Sequence, residues 1–108
     1  MEPLFSYGTL QLEQVQRSQF GRLLEGVDDV LHGYVVTELQ IRDPAVLDAS
    51  GIETHLALVR GDGPPIVGKV FQLTTQELAA ADVYESENYV RAWVPLASGT
   101  HAWVYVKA

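Results

Sequence analysis

The feature that most constrains the fold is a capping box, Thr74-Thr75-Gln76-Glu77, opening the one strong helical run of the chain. In such a box the first Thr accepts a hydrogen bond from an early amide and the Glu three residues on reaches back to the cap's own N–H. The run it opens, Leu78 to Glu85, lies between segments that read as strands. Thr54 to Arg60 and Ile66 to Leu73 precede it, separated by Gly61-Asp62-Gly63-Pro64-Pro65, a spacing that predicts a hairpin. Tyr89 to Leu96 and His101 to Lys107 follow it and predict a second hairpin, with Val90, Ala92, Val94 and Leu96 alternating on one strand and Ala102, Val104 and Val106 on the other.

The N-terminal half fits the same scheme. Leu4 to Tyr7 is a short apolar strand stopped by Gly8, and Thr9 is a suitable N-cap for a short helix over residues 10–21. Val30 to Leu39 reads as a strand bent at Gly33, and the stretch around Asp43-Pro44 as a loop. The expected fold class is therefore α+β: a small mixed, mostly antiparallel, six-stranded, barrel-like sheet with two short helices. Its 108 residues are expected to form a single domain, 1–108.

Composition narrows the function. Seven Lys plus Arg against 14 Asp plus Glu give a net charge of −7, the wrong sign for binding nucleic acid or an anionic membrane surface. With no cysteine there is no disulfide, thiolate nucleophile or Cys-based zinc site. His32, His55 and His101 lack metal-ligand spacing, so no metal site is expected. Trp93, Trp103 and Tyr105 fall on strands and are expected in the core or the sheet wall. The N-terminus has no cationic region ahead of an apolar segment and no run is long and apolar enough to span a bilayer, so a soluble, cytoplasmic domain is expected.

Two places could carry chemistry. Residues seven apart on a helix come within about 20° of eclipsing, so Glu85 lies under Leu78 on the face most apt to turn inward. Burial there would raise the carboxyl pKa towards the range of a general acid–base. The competing reading has Glu85 fraying into water beside Asp82 and Glu87, and spacing alone favours it, because helix ends are located only to within several residues. The second place is Tyr7-Gly8-Thr9-Leu10, a strand entering a glycine turn and then a helix. Amides there are unpaired and suit an anion, and Gly8 permits close approach, although such turns are also common as plain structure.

The chain as a whole resembles the gamma-glutamylcyclotransferase-like family. The resemblance runs through "LFSYGTL" at Leu4 to Leu10, "LHGYVV" at Leu31 to Val36, "VGKVFQL" at Val67 to Leu73, "ADVYESENYVRAWV" at Ala81 to Val94 and "AWVYV" at Ala102 to Val106. It implies a small barrel with one pocket, and a cofactor-independent enzyme that cyclises a gamma-glutamyl amine or gamma-glutamyl amino acid, releasing 5-oxoproline and the free amine. By motif it assigns Glu85 as the acid–base and Tyr7, Gly8, Thr9 and Leu10 to the glutamyl end, with Tyr89 and Tyr105 lining the pocket. The sequence departs from the family pattern at Ala81, at Ser86, where relatives carry Gly, and within Gln11-Leu12-Glu13-Gln14. A non-catalytic small-molecule binder on the same scaffold and a protein-interaction module stay open as alternatives; the oligomeric state is not legible.

Overall fold

The computed structural model describes residues 1–40 and 54–108. Seven strands and two α-helices are present among them: β1 (Glu2–Ser6), α1 (Glu13–Phe20), β2 (Gly26–Leu31), β3 (Tyr34–Gln40), β4 (Thr54–Arg60), β5 (Ile66–Leu73), α2 (Thr75–Glu85), β6 (Tyr89–Pro95) and β7 (His101–Lys107). Five strands form a sheet in the order β2-β5-β1-β7-β6, and β3 and β4 form a separate antiparallel pair. The fold is mixed α+β as expected. Among the described residues the pairing does not close a ring, so the barrel-like shape comes from two sheets packed together rather than from a continuous cylinder.

The central strand β1 runs antiparallel to β5, from Glu2 opposite Leu73 to Ser6 opposite Lys69, and parallel to β7 at Leu4 opposite Trp103. It is covered on both faces. Leu4 packs with Phe71, Leu73 and Tyr105 against Val15, Leu78, Ala81 and Tyr84 of the helices. Phe5 packs the other way, with Val70, Val104 and Leu58. A strand buried on both sides needs an unbroken apolar run, which Leu4-Phe5 supplies. β5 comes very close to the end of β1, since a Cβ at Gly68 would strike the Ser6 carbonyl and lie 2.7 Å from the Phe5 ring. Only glycine allows that approach, which fixes where β1 delivers the chain.

The capping box on α2 forms as the sequence predicts. Glu77 N–H donates to Thr74 Oγ1 at 3.0 Å and Thr74 N–H to Glu77 Oε1 at 2.9 Å. Glu77 also takes a two-pronged bond from Arg22, just beyond α1, at 2.7 and 2.8 Å. The Arg22 guanidinium, with the Thr74 amide, holds its carboxyl down at about 2. Leu78, Ala81 and Tyr84 are the buried face of α2, and burying a side chain such as Leu78 contributes about 1.5–3 kcal/mol. The β6–β7 hairpin also forms, from Tyr89 opposite Lys107 to Pro95 opposite His101, with Gly99 at φ +92° in its turn.

Three expectations need correction. The run Val30 to Leu39 is two strands in two sheets: the expected bend at Gly33, at φ +86°, separates β2 from β3 and adds the seventh strand. Thr54 to Arg60 and Ile66 to Leu73 are strands, but not a hairpin; β4 pairs with β3, while β5 lies between β2 and β1. Pro64 and Pro65 have no N–H to give a ladder, so the connection crosses between sheets instead of folding back on itself. The wall placement of the aromatics holds for Tyr105, which is buried, and fails for Trp93, which is 50 % exposed and stacks on His101. Trp103 is partly buried and its Nε1–H donates to Glu2 at 3.0 Å. The expected loop over residues 40–51 lies outside the described residues except for Gln40, which ends β3.

Candidate active site

The glycine turn is not the helix start the sequence suggests. Thr9–Gln11 form one 3-10 turn, closed by Gln11 N–H to Gly8 O at 3.2 Å and Leu12 N–H to Thr9 O at 2.9 Å. Leu12 is then extended at ψ 134°, and α1 begins only at Glu13. Thr9 is therefore no helix cap; its hydroxyl meets Tyr84 Oη on α2 at 2.9 Å. Buried Gln16 fixes the turn from below, donating to Leu10 O at 2.9 Å while accepting from Leu24 N–H at 2.9 Å. Among the described residues, the N–H groups of Gly8, Thr9 and Leu10 reach no acceptor. Those amides, rather than a helix dipole, make the turn suited to an anion.

Glu85 is the last residue of α2, one double turn below Leu78. The chain cannot continue helically because Ser86 sits at φ 61°, ψ −164°. That conformation is strained for any side chain, and Ser86 Oγ accepts from Asn88 Nδ2 at 2.9 Å. The reversal holds Glu85 facing inward while Glu87 faces solvent. Burial alone pushes the Glu85 carboxyl up to about 8, and no cation or donor among the described residues opposes it.

Three phenols surround that carboxyl. Tyr7, Tyr89 and Tyr105 all have their pKa values raised, chiefly by burial and further by the Glu85 charge. None of the three spends its proton on Glu85. Tyr7 Oη donates to the Tyr105 carbonyl at 2.6 Å, Tyr89 Oη to the Leu56 carbonyl at 2.8 Å, and Tyr105 Oη to Asp82 Oδ1 at 2.7 Å. Asp82 is in turn held by Arg91 Nε at 2.7 Å. With the neighbouring hydroxyls engaged elsewhere, the carboxylate lacks the hydrogen bonds that would bring its pKa back down.

All of the residues singled out from the sequence, Glu85, Tyr7, Gly8, Thr9, Leu10, Tyr89 and Tyr105, line one pocket of about 350 Å³, its mouth included. Phe5, Ser6 and Leu56 complete the lining. Sequence reasoning missed Leu56, which arrives from the second sheet, and the positioning parts played by Gln16, Tyr84 and Asp82. Only Asp82 carried a signal, in its three-residue spacing from Glu85. Among the described residues no three His, Asp or Glu side chains gather as a metal site. His32 is exposed, and the side chain of His55 lies outside the described set. Among the described residues no helix is long and apolar enough to cross a membrane.

Comparison with known proteins bears on the family and the fold. The family described as "Gamma-glutamyl cyclotransferase, AIG2-like" matches residues 4–108. Among solved structures, the solution structure of an Arabidopsis thaliana protein is similar at TM-score 0.72 and 25 % identity, covering 98 % of this chain and 61 % of that one. A structure named gamma-glutamyl cyclotransferase is similar at TM-score 0.70 and 13 % identity, covering 99 % of this chain and 66 % of that one. An uncharacterized protein from Pyrococcus horikoshii follows at TM-score 0.66 and 16 % identity, with 99 % and 78 % covered. No curated protein sequence is a significant match. At these identities the solved structures speak to the fold, and it is the family match over nearly the whole length that settles membership: the chain belongs to the gamma-glutamyl cyclotransferase, AIG2-like family.

Proposed function

We propose that this protein cyclises the gamma-glutamyl group of a small substrate, releasing 5-oxoproline and a free amine, with Glu85 as the proton carrier. The observation that carries this reading is the buried Glu85 carboxyl sharing one pocket with the unpaired amides of Gly8, Thr9 and Leu10. The substrate's α-amine enters as an ammonium and must lose a proton before it can attack. A carboxyl held at about 8 is a much better match for that proton than an ordinary glutamate. The ammonium charge beside it also favours the ionised carboxylate, so binding brings the base into its working form.

Glu85 takes one proton from the ammonium. The freed nitrogen lone pair forms a bond to the side-chain carbonyl carbon, closing a five-membered ring and moving the carbonyl π electrons onto oxygen. The amides of Thr9 and Leu10 steady that oxyanion, with Gly8 leaving the approach open. The oxyanion then collapses and the bond to the leaving nitrogen breaks. Glu85 gives that first proton to the leaving nitrogen and takes the second proton from the ring nitrogen in its place. It passes this one to the departing amine, which leaves as an ammonium while Glu85 returns to its ionised form. The positive charge that entered on the substrate leaves on the amine, so no acid is consumed. Because nucleophile and electrophile share one molecule, holding the folded conformer supplies several kcal/mol. Proton transfer adds on the order of 10²–10⁴-fold.

The test is 5-oxoproline release across a panel of gamma-glutamyl amines and amino acids, with Glu85→Gln beside the wild type. Release that falls at least a hundredfold in the folded variant is expected. Unchanged turnover would remove Glu85 from the mechanism, and saturable binding without product from any substrate would make the domain a binder.

A further inference from the structure

Tyr105 stands between the buried carboxyl and the surface. On one side it lines the Glu85 pocket, edge-on to Tyr89 with ring centres 6.5 Å apart. On the other it lines an outer depression of about 720 Å³ together with Asp82, Arg91 and Trp103. There three elements converge on one oxygen. Tyr105 Oη of β7 donates to Asp82 Oδ1 of α2 at 2.7 Å, and Arg91 Nε of β6, opposite Tyr105 in the ladder, pairs with the same oxygen at 2.7 Å. The guanidinium is braced in turn, 4.6 Å over the centre of the Trp103 ring. Asp82 lies one helical turn before Glu85. Its side chain is 40 % exposed, and an ion pair so exposed contributes little to stability. The convergence has a clearer effect on Tyr105. A phenol has one proton to give; with that proton directed at Asp82, the Tyr105 oxygen has only lone pairs to turn to the pocket.

We propose that Asp82, braced by Arg91, is a positioning residue for ring closure: it draws the Tyr105 hydroxyl proton away from Glu85, which leaves the carboxyl without that donor and Tyr105 Oη as an acceptor for the substrate's ammonium. This role rests on the one proposed for Glu85 and adds a residue outside the pocket that governs it. Deprived of Asp82, the Tyr105 hydroxyl is free to turn its proton into the pocket, where an ionised Glu85 is the strongest acceptor. A hydrogen bond to the ionised form favours that form. The carboxyl would then titrate lower and be a weaker base towards the ammonium. Among the described residues, the other titratable groups facing Glu85 are Tyr7 from β1 and Tyr89 from β6. Their protons go to the Tyr105 and Leu56 carbonyls, so residue 82 can act on Glu85 only through Tyr105 or through its own charge.

Three variants separate the two. The Glu85 midpoint is followed by carboxyl-carbon NMR in Asp82→Ala, Asp82→Asn and Tyr105→Phe, each checked for the wild-type fold by its amide spectrum. Asp82→Ala removes the acceptor and is expected to lower the midpoint by about one pH unit or more. Asp82→Asn removes the charge but keeps an acceptor oxygen, so its midpoint should stay within about half a pH unit of wild type. Asp82→Ala in the Tyr105→Phe background should show no fall, because no phenol proton is left to redirect. Turnover should follow the midpoint. In Asp82→Ala the rising limb of kcat/KM for 5-oxoproline release moves to lower pH and its plateau falls by about threefold or more, whereas Asp82→Asn keeps most of both. An unmoved midpoint in Asp82→Ala overturns the proposal. So does an equal fall in the Ala and Asn variants, or a fall that persists without the Tyr105 hydroxyl, since either assigns the effect to the charge of Asp82. Should Asp82→Ala fail to fold, Tyr105→Phe decides alone. A midpoint within about half a pH unit of wild type is expected there, and a rise of about one unit or more would mean that Tyr105 already donates to Glu85 and overturn the proposal. If no substrate releases 5-oxoproline, ring closure fails by itself, and the midpoints still decide whether Asp82 governs Glu85.

Discussion

Replacing Glu85 by Gln should change how stability depends on pH, and the size of the effect follows from the structure. In the unfolded chain the carboxyl titrates near its ordinary value of 4.5, and in the folded protein at about 8. Between those values the folded state holds a proton that the unfolded state has released. Unfolding is therefore favoured as pH rises through the window, and stability falls. At 1.36 kcal/mol per pH unit the loss is about 3 kcal/mol by pH 7 and approaches about 5 kcal/mol at pH 9. That is a large share of the roughly 5–15 kcal/mol available to a domain. Gln cannot ionise, so the variant should lack this slope. The three phenols around the site have pKa values raised by burial and stay neutral throughout, so they add nothing to the window. Whatever is common to the two proteins cancels in the difference between them. The assay is urea unfolding of both proteins from pH 5 to pH 9. The variant should gain on the wild type steadily with pH, whatever fixed offset the buried amide introduces. Stability curves that run parallel to within about 0.5 kcal/mol would refute the reasoning, because they would mean that Glu85 is as well solvated folded as unfolded.

Two further substitutions probe the turns that hold the site. Ser86→Gly should raise stability by about 1 kcal/mol, since relief of a strain of about 1–3 kcal/mol outweighs the lost bond from Asn88. In a domain of this size that is a rise of roughly 4–8 °C in melting temperature, and a fall would contradict it. Gly8→Ala should leave the melting temperature nearly unchanged, because φ −128° suits alanine and a Cβ there meets nothing within 4 Å. On the pocket wall the same methyl should cut 5-oxoproline release at least tenfold, and full activity would show that the substrate does not approach Gly8.

Local signals in the sequence carried most of the elements. The capping box at Thr74 and the alternation on both sides of Ala97-Ser98-Gly99-Thr100 are written in residues near each other, and both formed as expected. Pairing between distant runs was not legible. Gly61 to Pro65 looked like a hairpin loop because strand propensity does not record which neighbour a strand will choose. Gly33 looked like a bend because a positive φ and a change of sheet are the same glycine in one dimension. At the site, the helical period brought Glu85 under Leu78 but could not decide between an inward carboxyl and a frayed end. Ser86 decides it, through a backbone conformation that residue type alone would not suggest. Tyr89 and Tyr105 were legible as site residues only through family resemblance, and Tyr7 only as part of the glycine turn. Their hydrogen bonds to the Tyr105 and Leu56 carbonyls and to Asp82 depend on strand order, which no local pattern encodes.

Ring closure as argued here depends on a carboxyl that burial has kept from ionising at ordinary pH, inside a pocket otherwise furnished with committed hydroxyls and open amides. The most direct measurement is the titration of the Glu85 carboxyl carbon followed by NMR in selectively labelled protein. A midpoint near 8 is the value this account predicts. A midpoint near the ordinary 4.5 would place the group in water and contradict it.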